Sequence, residues 1–344
     1  MDDTPKKSRA LFAIVGCFVL PVVFVGLMSP PSYSGACYLL ALVLMWLGPG
    51  LSRWRIVRAL SVSARNRARW VGVVLFVVTL CVRMFTGSSE GLRYEQVGER
   101  SLLRAAFARL ANERDLSGGA STLLRTFSML PERGDRLATL FRDTYDQMDA
   151  ADENHASPLL PTLLFGQSPE SFDILRYHVD EPRGTLLFLH GYGGNVSAIC
   201  WEMAQSAKAA GYETLCPSMR TQGDWGSPVG SEIVRAILAD LEGSVVLAGL
   251  SNGANGAAIL APRFRRHIEG LVLISGAAQR AGRAGVPTLV IYGRHDEMFR
   301  PRVMRSYVER TDAQAVVLDA GHFIVLSERE RVRTEVTRFL EARR

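Results

Sequence analysis

The sequence predicts an α/β fold in which a mostly parallel, doubly wound sheet occupies the C-terminal half of the chain. Short apolar runs, several rich in β-branched residues, have the length and character of strands buried on both faces of such a sheet. These runs occupy residues 185–189, 244–250, 270–275, 286–292 and 315–318. A segment of small residues that begins at Asn252 has the composition of a helix able to pack closely against the sheet.

The run at residues 244–250 ends in Gly249-Leu250-Ser251-Asn252-Gly253. The two glycines keep Cβ atoms out of the crowded backbone around Ser251. A serine on such a strand-to-helix turn has its hydroxyl exposed at the carboxyl edge of the sheet, above a helix N-terminus that favours negative charge. The pentapeptide alone is a weak signal, because chance supplies it in roughly one in five chains of this glycine content.

Three further motifs follow strand-like runs and strengthen this interpretation. Residues 190–194 read His-Gly-Tyr-Gly-Gly, a loop of bare backbone amides of the kind an oxyanion hole needs. Asp296 follows the run at 286–292, and His322 follows the run at 315–318. The chain order is therefore Ser251, Asp296, His322, with spacings of 45 and 26 residues.

Together these motifs resemble the α/β-hydrolase superfamily of serine hydrolases over about the last 170 residues. The resemblance implies that Ser251 is the nucleophile and that His322 is the base. It further implies that Asp296 orients the imidazole and stabilises its charged form. No cofactor is expected, and no metal-ligand spacing or phosphate-binding glycine loop occurs in the sequence.

The resemblance also implies two oxyanion donors, the backbone N–H groups of Asn252 and of Tyr192. Gly193 is an alternative to Tyr192 in this role. Glu297 and Asp319 compete with Asp296 for the role of the acid. Asp319 lies on the base's own loop, and Glu297 lies one position past the usual place.

Two other histidines, His190 and His295, adjoin these motifs and are interpreted as structural supports. The connection at residues 276–285 is rich in glycine and alanine and too short to form a cap over the site. The site is therefore expected to be open, unless the segment before the hydrolase region covers it.

The predicted function is that of a membrane-anchored serine hydrolase that cleaves an ester or related acyl bond through an acyl-Ser251 intermediate. The expected substrate is a small-molecule or lipid-like acyl compound. The alternatives are an acyltransferase or a serine peptidase with the same triad, which differ in water exclusion and acceptor pocket. A non-catalytic binding module on the same fold is a further alternative.

Three apolar stretches in residues 1–87, at 10–28, 36–51 and 70–82, predict a membrane anchor of about three transmembrane helices. A cleaved signal peptide is the alternative for the first stretch. Residues 1–87 carry a net charge of +8 from ten Lys/Arg and two Asp/Glu, which leaves −2 for the rest of a chain whose total is +6. The basic balance therefore belongs to the membrane flanks and not to a nucleic-acid-binding surface.

The distribution of these cations predicts a topology. Six arginines lie between the second and third stretches, whereas residues 29–35 carry no charge. By the positive-inside rule the N-terminus and the loop at 52–69 are cytoplasmic, so the hydrolase region is expected on the outer, periplasmic or extracellular, face.

We expect residues 88–170 to form an amphipathic helical collar or linker, and residues 171–344 to form the hydrolase domain. Apolar residues at spacings of three and four predict three short helices in the collar, separated at residues 117–119 and 131–135. The collar is interpreted as a segment that packs against the hydrolase core, and a lid over Ser251 is the alternative. Cys200 and Cys216 could pair in an oxidising compartment or could be two buried thiols.

Overall fold

The computed structural model describes residues 32–46, 61–85, 91–110, 112–126, 136–151 and 156–343 of the 344-residue chain. The chain divides into two units, one of residues 1–86 with 114–129 and the other of residues 87–113 with 130–344. The predicted strands and the candidate site all fall in the second unit. In the first unit, the predicted membrane stretch at 70–82 is described throughout and the stretch at 36–51 only over residues 36–46.

One sheet of eight strands forms the centre of the second unit. The strands are β1 (Leu92–Gly98), β2 (Ser171–Tyr177), β3 (Gly184–Leu189), β4 (Tyr212–Pro217), β5 (Ser244–Leu250), β6 (Gly270–Ile274), β7 (Thr288–Gly293) and β8 (Gln314–Leu318). Their order is β1-β2-β4-β3-β5-β6-β7-β8. β2 pairs antiparallel with both β1 and β4, and every other pairing is parallel. The α/β class with a mostly parallel sheet is therefore confirmed.

Twelve helices occur in the described residues. They are α1 (Tyr33–Trp46), α2 (Val62–Phe85), α3 (Leu102–Leu110), α4 (Glu113–Thr126), α5 (Leu137–Ala150), α6 (Leu159–Phe165), α7 (Ser197–Ala209), α8 (Pro228–Asp240), α9 (Asn252–Phe264), α10 (Pro301–Thr311), α11 (Ile324–Ser327) and α12 (Arg329–Glu341).

Helices cover both faces of the sheet. Buried side chains of α5, α7 and α12 form one apolar cluster with the strands, and those of α8, α9 and α10 form the other. β3 and β6 are buried along their whole length. This explains why their sequences are continuously apolar and not alternating.

The order of the strands determines where a site can lie. After β3 the chain crosses to β4 on one side of β3, and it then returns to form β5 on the other side. The loops that follow β3 and β5 therefore diverge at the carboxyl edge of the sheet. In doubly wound folds, ligands bind in the crevice at such a switch point. The predicted oxyanion loop and Ser251 follow these two strands.

Strand β1 is an element that the sequence analysis does not predict. It lies in the segment interpreted as a helical collar, and its residues pair with β2 from Leu92↔Tyr177 to Gly98↔Ser171. Leu92 is the only fully buried residue of this edge strand. Charged residues such as Arg93 and Glu95 occupy alternate positions in its sequence. The apolar periodicity is therefore too weak to distinguish a strand from a loop.

Another expectation about the collar is wrong. The sequence predicts that a helix ends at residues 117–119, Ser-Gly-Gly, but these residues lie inside α4. The hydroxyls of Ser121 and Thr122 donate to the carbonyls of Ser117 and Gly118, one turn earlier. A mid-helix glycine costs only about 1 kcal/mol relative to alanine, so neighbouring interactions can offset it. The other predicted break, at 131–135, lies outside the described residues.

The described part of the first unit contains α1 and α2, which pack against each other. A Cβ at Gly72 would lie 2.8 Å from the carbonyl oxygen of Ala41, so the glycine permits the close approach. The rings of Tyr38 and Phe76 are 5.4 Å apart. Along the described side chains of α2, the large apolar ones that remain exposed are Val62, Trp70, Val71, Val74, Val77, Val78 and Val82.

The three predicted transmembrane stretches differ in how much of each the structure describes. The stretch at 10–28 lies outside the described residues. The stretch at 36–51 overlaps α1, and the stretch at 70–82 lies within α2. Among the residues that the structure describes, no helix combines the length and the apolar character needed to cross a membrane.

Cys200 and Cys216 form a disulfide, with their Cα atoms 6.1 Å apart. It joins α7 to the end of β4, and both cysteines are completely buried. Asn195, at the end of the oxyanion loop, donates from its side-chain amide to the carbonyl oxygen of Cys216 at 2.6 Å. The bridge and this hydrogen bond therefore fix the segment just behind the loop.

Candidate active site

Ser251 lies at a sharp turn between β5 and α9, in a backbone conformation that is unfavourable for a residue with a side chain. Its φ is +56° and its ψ is −119°. Two hydrogen bonds hold the turn in place: the N–H of Ser251 donates to the carbonyl oxygen of Ile274 at 2.9 Å, and the N–H of Asn255 donates to that of Ser251 at 2.9 Å. Such strain persists where the surrounding structure imposes it, and it occurs at catalytic elbows.

The two glycines that flank the serine are required by close backbone contacts. A Cβ at Gly253 would lie 2.0 Å from the carbonyl oxygen of Leu189, at the end of β3. A Cβ at Gly249 would lie 2.4 Å from the carbonyl carbon of Gly253. Both distances are shorter than any van der Waals contact, so only glycine fits at either position.

Asp296 and His322 meet in a buried pair at the same edge of the sheet. Nδ1 of His322 lies 2.8 Å from Oδ2 of Asp296, and both side chains are at most 5% exposed. The other carboxylate oxygen, Oδ1, accepts hydrogen bonds from the backbone N–H groups of Met298 at 3.0 Å and Phe299 at 2.7 Å. Three donors thus fix the orientation of this carboxylate.

The competing acids lie elsewhere. Oδ1 of Asp319 is 2.7 Å from Nε2 of His295, and the two side chains form an exposed pair. Glu297 is exposed. Of the three acids considered, only Asp296 therefore contacts His322. His295 supports the loop of Asp319, as the sequence analysis expects.

Ser275, which the sequence analysis missed, links the loop of His322 to the serine turn. Its hydroxyl donates to the carbonyl oxygen of His322 at 2.7 Å. The next residue, Gly276, approaches the turn so closely that a Cβ there would lie 2.3 Å from the carbonyl oxygen of Ser251. Ser275 has a φ of +47°. No pattern in the sequence could reveal this contact, because it joins loops 47 residues apart.

Within residues 156–343, no hydrogen bond joins the hydroxyl of Ser251 to the ring of His322. Because Asp296 contacts Nδ1 of the ring, the other nitrogen, Nε2, is the one left for a proton acceptor. Catalytic hydrogen bonds are often long in ligand-free structures and shorten when substrate binds.

The loop at residues 190–194 packs directly on the serine turn. A Cβ at Gly191 would lie 3.0 Å from Cβ of Ser251. The N–H of Gly193 donates to the carbonyl oxygen of Thr221 at 2.7 Å, so it is already occupied. Asn252 is the first residue of α9, and the first N–H groups of a helix have no acceptor within that helix. Tyr192 is 75% exposed.

His190 is a buried structural residue, as the sequence analysis expects. Its Nε2 accepts from the N–H of Met219 at 3.0 Å, which leaves Nδ1 to donate to the carbonyl oxygen of Gly191 at 2.8 Å. Its carbonyl oxygen accepts from the indole N–H of Trp225 at 2.9 Å. Burial lowers the pKa of His190 to about 4, so its ring is neutral at physiological pH.

We expect His190 to make folding sensitive to acid. Its pKa is lower in the folded chain than the ordinary value of 6.5, so the unfolded chain binds the proton more readily. Its contribution is complete above about pH 6.5 and is lost as the pH falls toward 4, at a cost of about 3 kcal/mol. Urea unfolding at pH 4–7 should therefore show the difference in unfolding free energy between wild type and His190→Gln shrink as the pH falls.

The half-exposed His178 provides a matched control, and the difference between wild type and His178→Gln should change much less. A difference between wild type and His190→Gln that stays constant from pH 7 to pH 4 would contradict the buried neutral ring.

Comparisons with known proteins find likeness in structure only. No protein-family model matches the chain, and no curated protein sequence matches it. Solved structures that match include a monoacylglycerol lipase from Paleococcus ferrophilus, 14% identical, with a TM-score of 0.45 over 50% of this chain and 99% of that one.

An α-β serine hydrolase homologue from Coxiella burnetii is 19% identical, with a TM-score of 0.44 over 51% of this chain and 94% of that one. Est1E from Butyrivibrio proteoclasticus is 16% identical, with a TM-score of 0.43 over 50% and 95%. Each of these likenesses covers about half of this chain.

Proposed function

We propose that the chain is a serine hydrolase that cleaves an ester or related acyl bond through an acyl-Ser251 intermediate. The observation that carries this proposal is the buried contact of 2.8 Å between Asp296 and His322, at the sheet edge where the strained Ser251 turn also lies. A carboxylate, an imidazole and a partly exposed serine at one sheet edge are the groups that acyl transfer requires.

The proposed reaction begins with the protonation state of the imidazole. Asp296 accepts a hydrogen bond from the N–H at Nδ1, which leaves Nε2 without a proton. Nε2 can therefore take the proton of the Ser251 hydroxyl as Oγ attacks the carbonyl carbon. His322 then passes that proton to the leaving alcohol, and the acyl group remains on Ser251. In the second half, water attacks the acyl carbon while His322 takes a proton from it. The bond between that carbon and Oγ of Ser251 then breaks, the acid leaves, and His322 returns the proton to Oγ.

The negative charge that develops on the carbonyl oxygen needs donors at the sheet edge. We assign this role to the backbone N–H groups of Asn252 and Tyr192. The occupied N–H of Gly193 favours Tyr192 over the alternative in the same loop. The positive end of the α9 dipole adds to the stabilisation.

Hydrolysis is favoured over transfer of the acyl group to another acceptor. The segment between β6 and β7 does not form a cap over the carboxyl edge of the sheet. Residues 275–287, between β6 and β7, form no helix or strand. Water therefore has access to the acyl intermediate, whereas transferases depend on excluding it.

Covalent labelling tests the proposal. A fluorophosphonate probe should label the wild-type chain, and labelling should disappear in Ser251→Ala. Ser306→Ala, which removes an exposed serine on α10, serves as the matched control and should label normally. Labelling that survives in Ser251→Ala would exclude Ser251 as the nucleophile. Labelling without hydrolysis of any ester would instead favour the transferase or peptidase alternatives.

The same proposal includes membrane anchorage, with the hydrolase unit on the outer face. Three observations support it: the cationic flanks of residues 1–87, the row of exposed apolar side chains on α2, and the buried disulfide, since disulfides persist in oxidising compartments. A reporter fused after residue 344 that is active only outside the cytoplasm is the expected result. Activity only in the cytoplasm would overturn the topology.

A further inference from the structure

A groove of about 340 Å³ adjoins the serine turn on the side of the oxyanion loop. Its walls come from three segments of the described chain: Tyr192 of the oxyanion loop, the loop at residues 222–226, and the first two turns of α9. The volume is at the lower end of the range for small-molecule sites.

Hydrogen bonds hold the walls of this groove in a fixed arrangement. Thr221, next to the 222–226 loop, accepts from the N–H of Gly193 at 2.7 Å. The side-chain amide of Asn252 donates to the carbonyl oxygen of Gln222 at 2.9 Å. The indole of Trp225 is anchored to the oxyanion loop through the carbonyl of His190. These bonds join all three walls.

The floor of the groove is closely packed. Gly256 of α9 lies against Trp225, and a Cβ on the glycine would be 2.4 Å from Cβ of the tryptophan. Trp225 is completely buried. The groove is therefore a built feature of the site and not a gap between mobile loops.

Polar side chains with unused hydrogen-bonding capacity line this groove. The carboxylate of Asp224 and the side-chain amides of Gln222 and Asn255 make no hydrogen bond or ion pair to any of the residues that the structure describes. No cationic side chain of the described chain lines the groove. The carboxylate of Asp224 can only accept hydrogen bonds, whereas each of the two amides can both accept and donate. The groove therefore favours a ligand with a hydrogen-bond donor that reaches Asp224.

The position of the groove determines which half of a substrate it can hold. The leaving group must lie near His322, because it receives its proton from that ring. No residue of the loops that carry Asp296 and His322 is among the residues that line the groove. The acyl half, which extends from the carbonyl carbon away from the leaving group, therefore fits the groove.

We propose that the groove selects a short acyl group that carries hydrogen-bond donors, hydroxyl or ammonium, with Asp224 as the main acceptor. This inference rests on the proposed function. A purely alkyl chain would desolvate the carboxylate and the amides without replacing their hydrogen bonds to water. The reaction remains ester cleavage: the donor-bearing acid and the alcohol are released, and water supplies the oxygen.

The test compares three acyl groups of nearly equal size on one chromogenic nitrophenyl leaving group: butyryl, 3-hydroxypropionyl and 3-aminopropionyl. Using the full chain, kcat/KM is measured and corrected for the buffer-catalysed rate. The expected result is at least a tenfold preference for one donor-bearing ester over butyrate, because a hydrogen bond to a charged group supplies a factor of about ten or more. Preference for butyrate, or equal rates, would overturn the proposal.

Substitutions in the groove test which residues cause the preference for a donor-bearing acyl group. Asp224→Leu should reduce the ratio of donor-bearing to butyryl kcat/KM about tenfold, and Asn255→Leu should reduce it less. Asp240→Leu, which removes an exposed carboxylate at the end of α8, is the matched control and should leave the ratio unchanged. An unchanged ratio in Asp224→Leu and Asn255→Leu would show that the groove does not select the acyl group.

Asp224→Asn distinguishes the two donors. It keeps an acceptor but removes the charge, so an aminoacyl preference should be lost and a hydroxyacyl preference largely retained. Failure of the proposed function gives a different result: wild type would neither hydrolyse the acetyl ester of the same alcohol nor react with the fluorophosphonate probe.

Discussion

Replacing Ser251 by alanine is expected to lower kcat for ester cleavage about a millionfold, which is the loss seen when the nucleophile of a serine triad is removed. The substitution deletes the proposed nucleophilic atom, Oγ, while the turn, the Asp296–His322 pair and the backbone donors stay in place. Initial rates on a nitrophenyl ester, measured at several enzyme concentrations, would provide the value.

The fold of the variant must be intact for this result to count. Alanine and serine are close in size, and the hydrogen bonds that hold the turn involve only its backbone. The thermal unfolding midpoint of Ser251→Ala should therefore lie close to that of wild type. Retention of a tenth or more of wild-type kcat by a normally folded variant would show that another residue performs the chemistry.

The Asp296→Asn substitution is expected to lower kcat by about 10⁴-fold, although it changes almost nothing in shape. The N–H groups of Met298 and Phe299 both donate to Oδ1 and will retain an oxygen there. The amide nitrogen must then face Nδ1 of His322, where it can only donate. The ring is forced into the tautomer with its proton on Nε2, and it can no longer accept the proton of the serine hydroxyl.

Asp319→Asn is the matched control, since Asp319 pairs with His295 at the surface and not with His322. It should retain nearly all of the wild-type kcat. If instead Asp319→Asn were severely impaired and Asp296→Asn were active, the acid would have been assigned to the wrong residue. The KM of Asp296→Asn is expected to change little, because the carboxylate does not touch the substrate.

The parts of the fold that follow from the sequence are those in which local pattern and tertiary environment agree. β3 and β5 are continuous apolar runs because both faces of the sheet are covered. The strand that precedes Ser251 could be located for this reason. The pairing of Asp296 with His322 is implied by the family resemblance, with Glu297 and Asp319 as competing acids. In the structure the loops after the neighbouring parallel strands β7 and β8 emerge at one edge.

Other parts of the fold depend on tertiary contacts that no local sequence pattern indicates. β1 is an edge strand with one fully buried residue, Leu92, while Tyr94 and Val97 are only partly buried. α4 continues through Gly118 and Gly119, which a local interpretation takes as a break. The choice between Tyr192 and Gly193 could not be made from the sequence, because it depends on the carbonyl of Thr221, a residue 28 positions away from Gly193.

The groove beside the site could not be predicted from the sequence either. Gln222, Asp224 and Asn255 belong to two segments that carry no recognisable motif. Their proximity depends on the hydrogen bond from the amide of Asn252 to Gln222 and on the packing of Gly256 against Trp225. Specificity in such folds is carried by loops, which vary while the scaffold persists.

The most direct test of the proposed chemistry is to trap the acyl intermediate and locate it by peptide mass spectrometry. The chain would be mixed with a slowly deacylating ester, quenched in acid after one turnover time and digested. The proposed function predicts one acyl group, on the hydroxyl of Ser251, and none in Ser251→Ala. Ester hydrolysis by the wild-type chain with no acyl group on Ser251 at any quench time, or with the group on another residue, would contradict it.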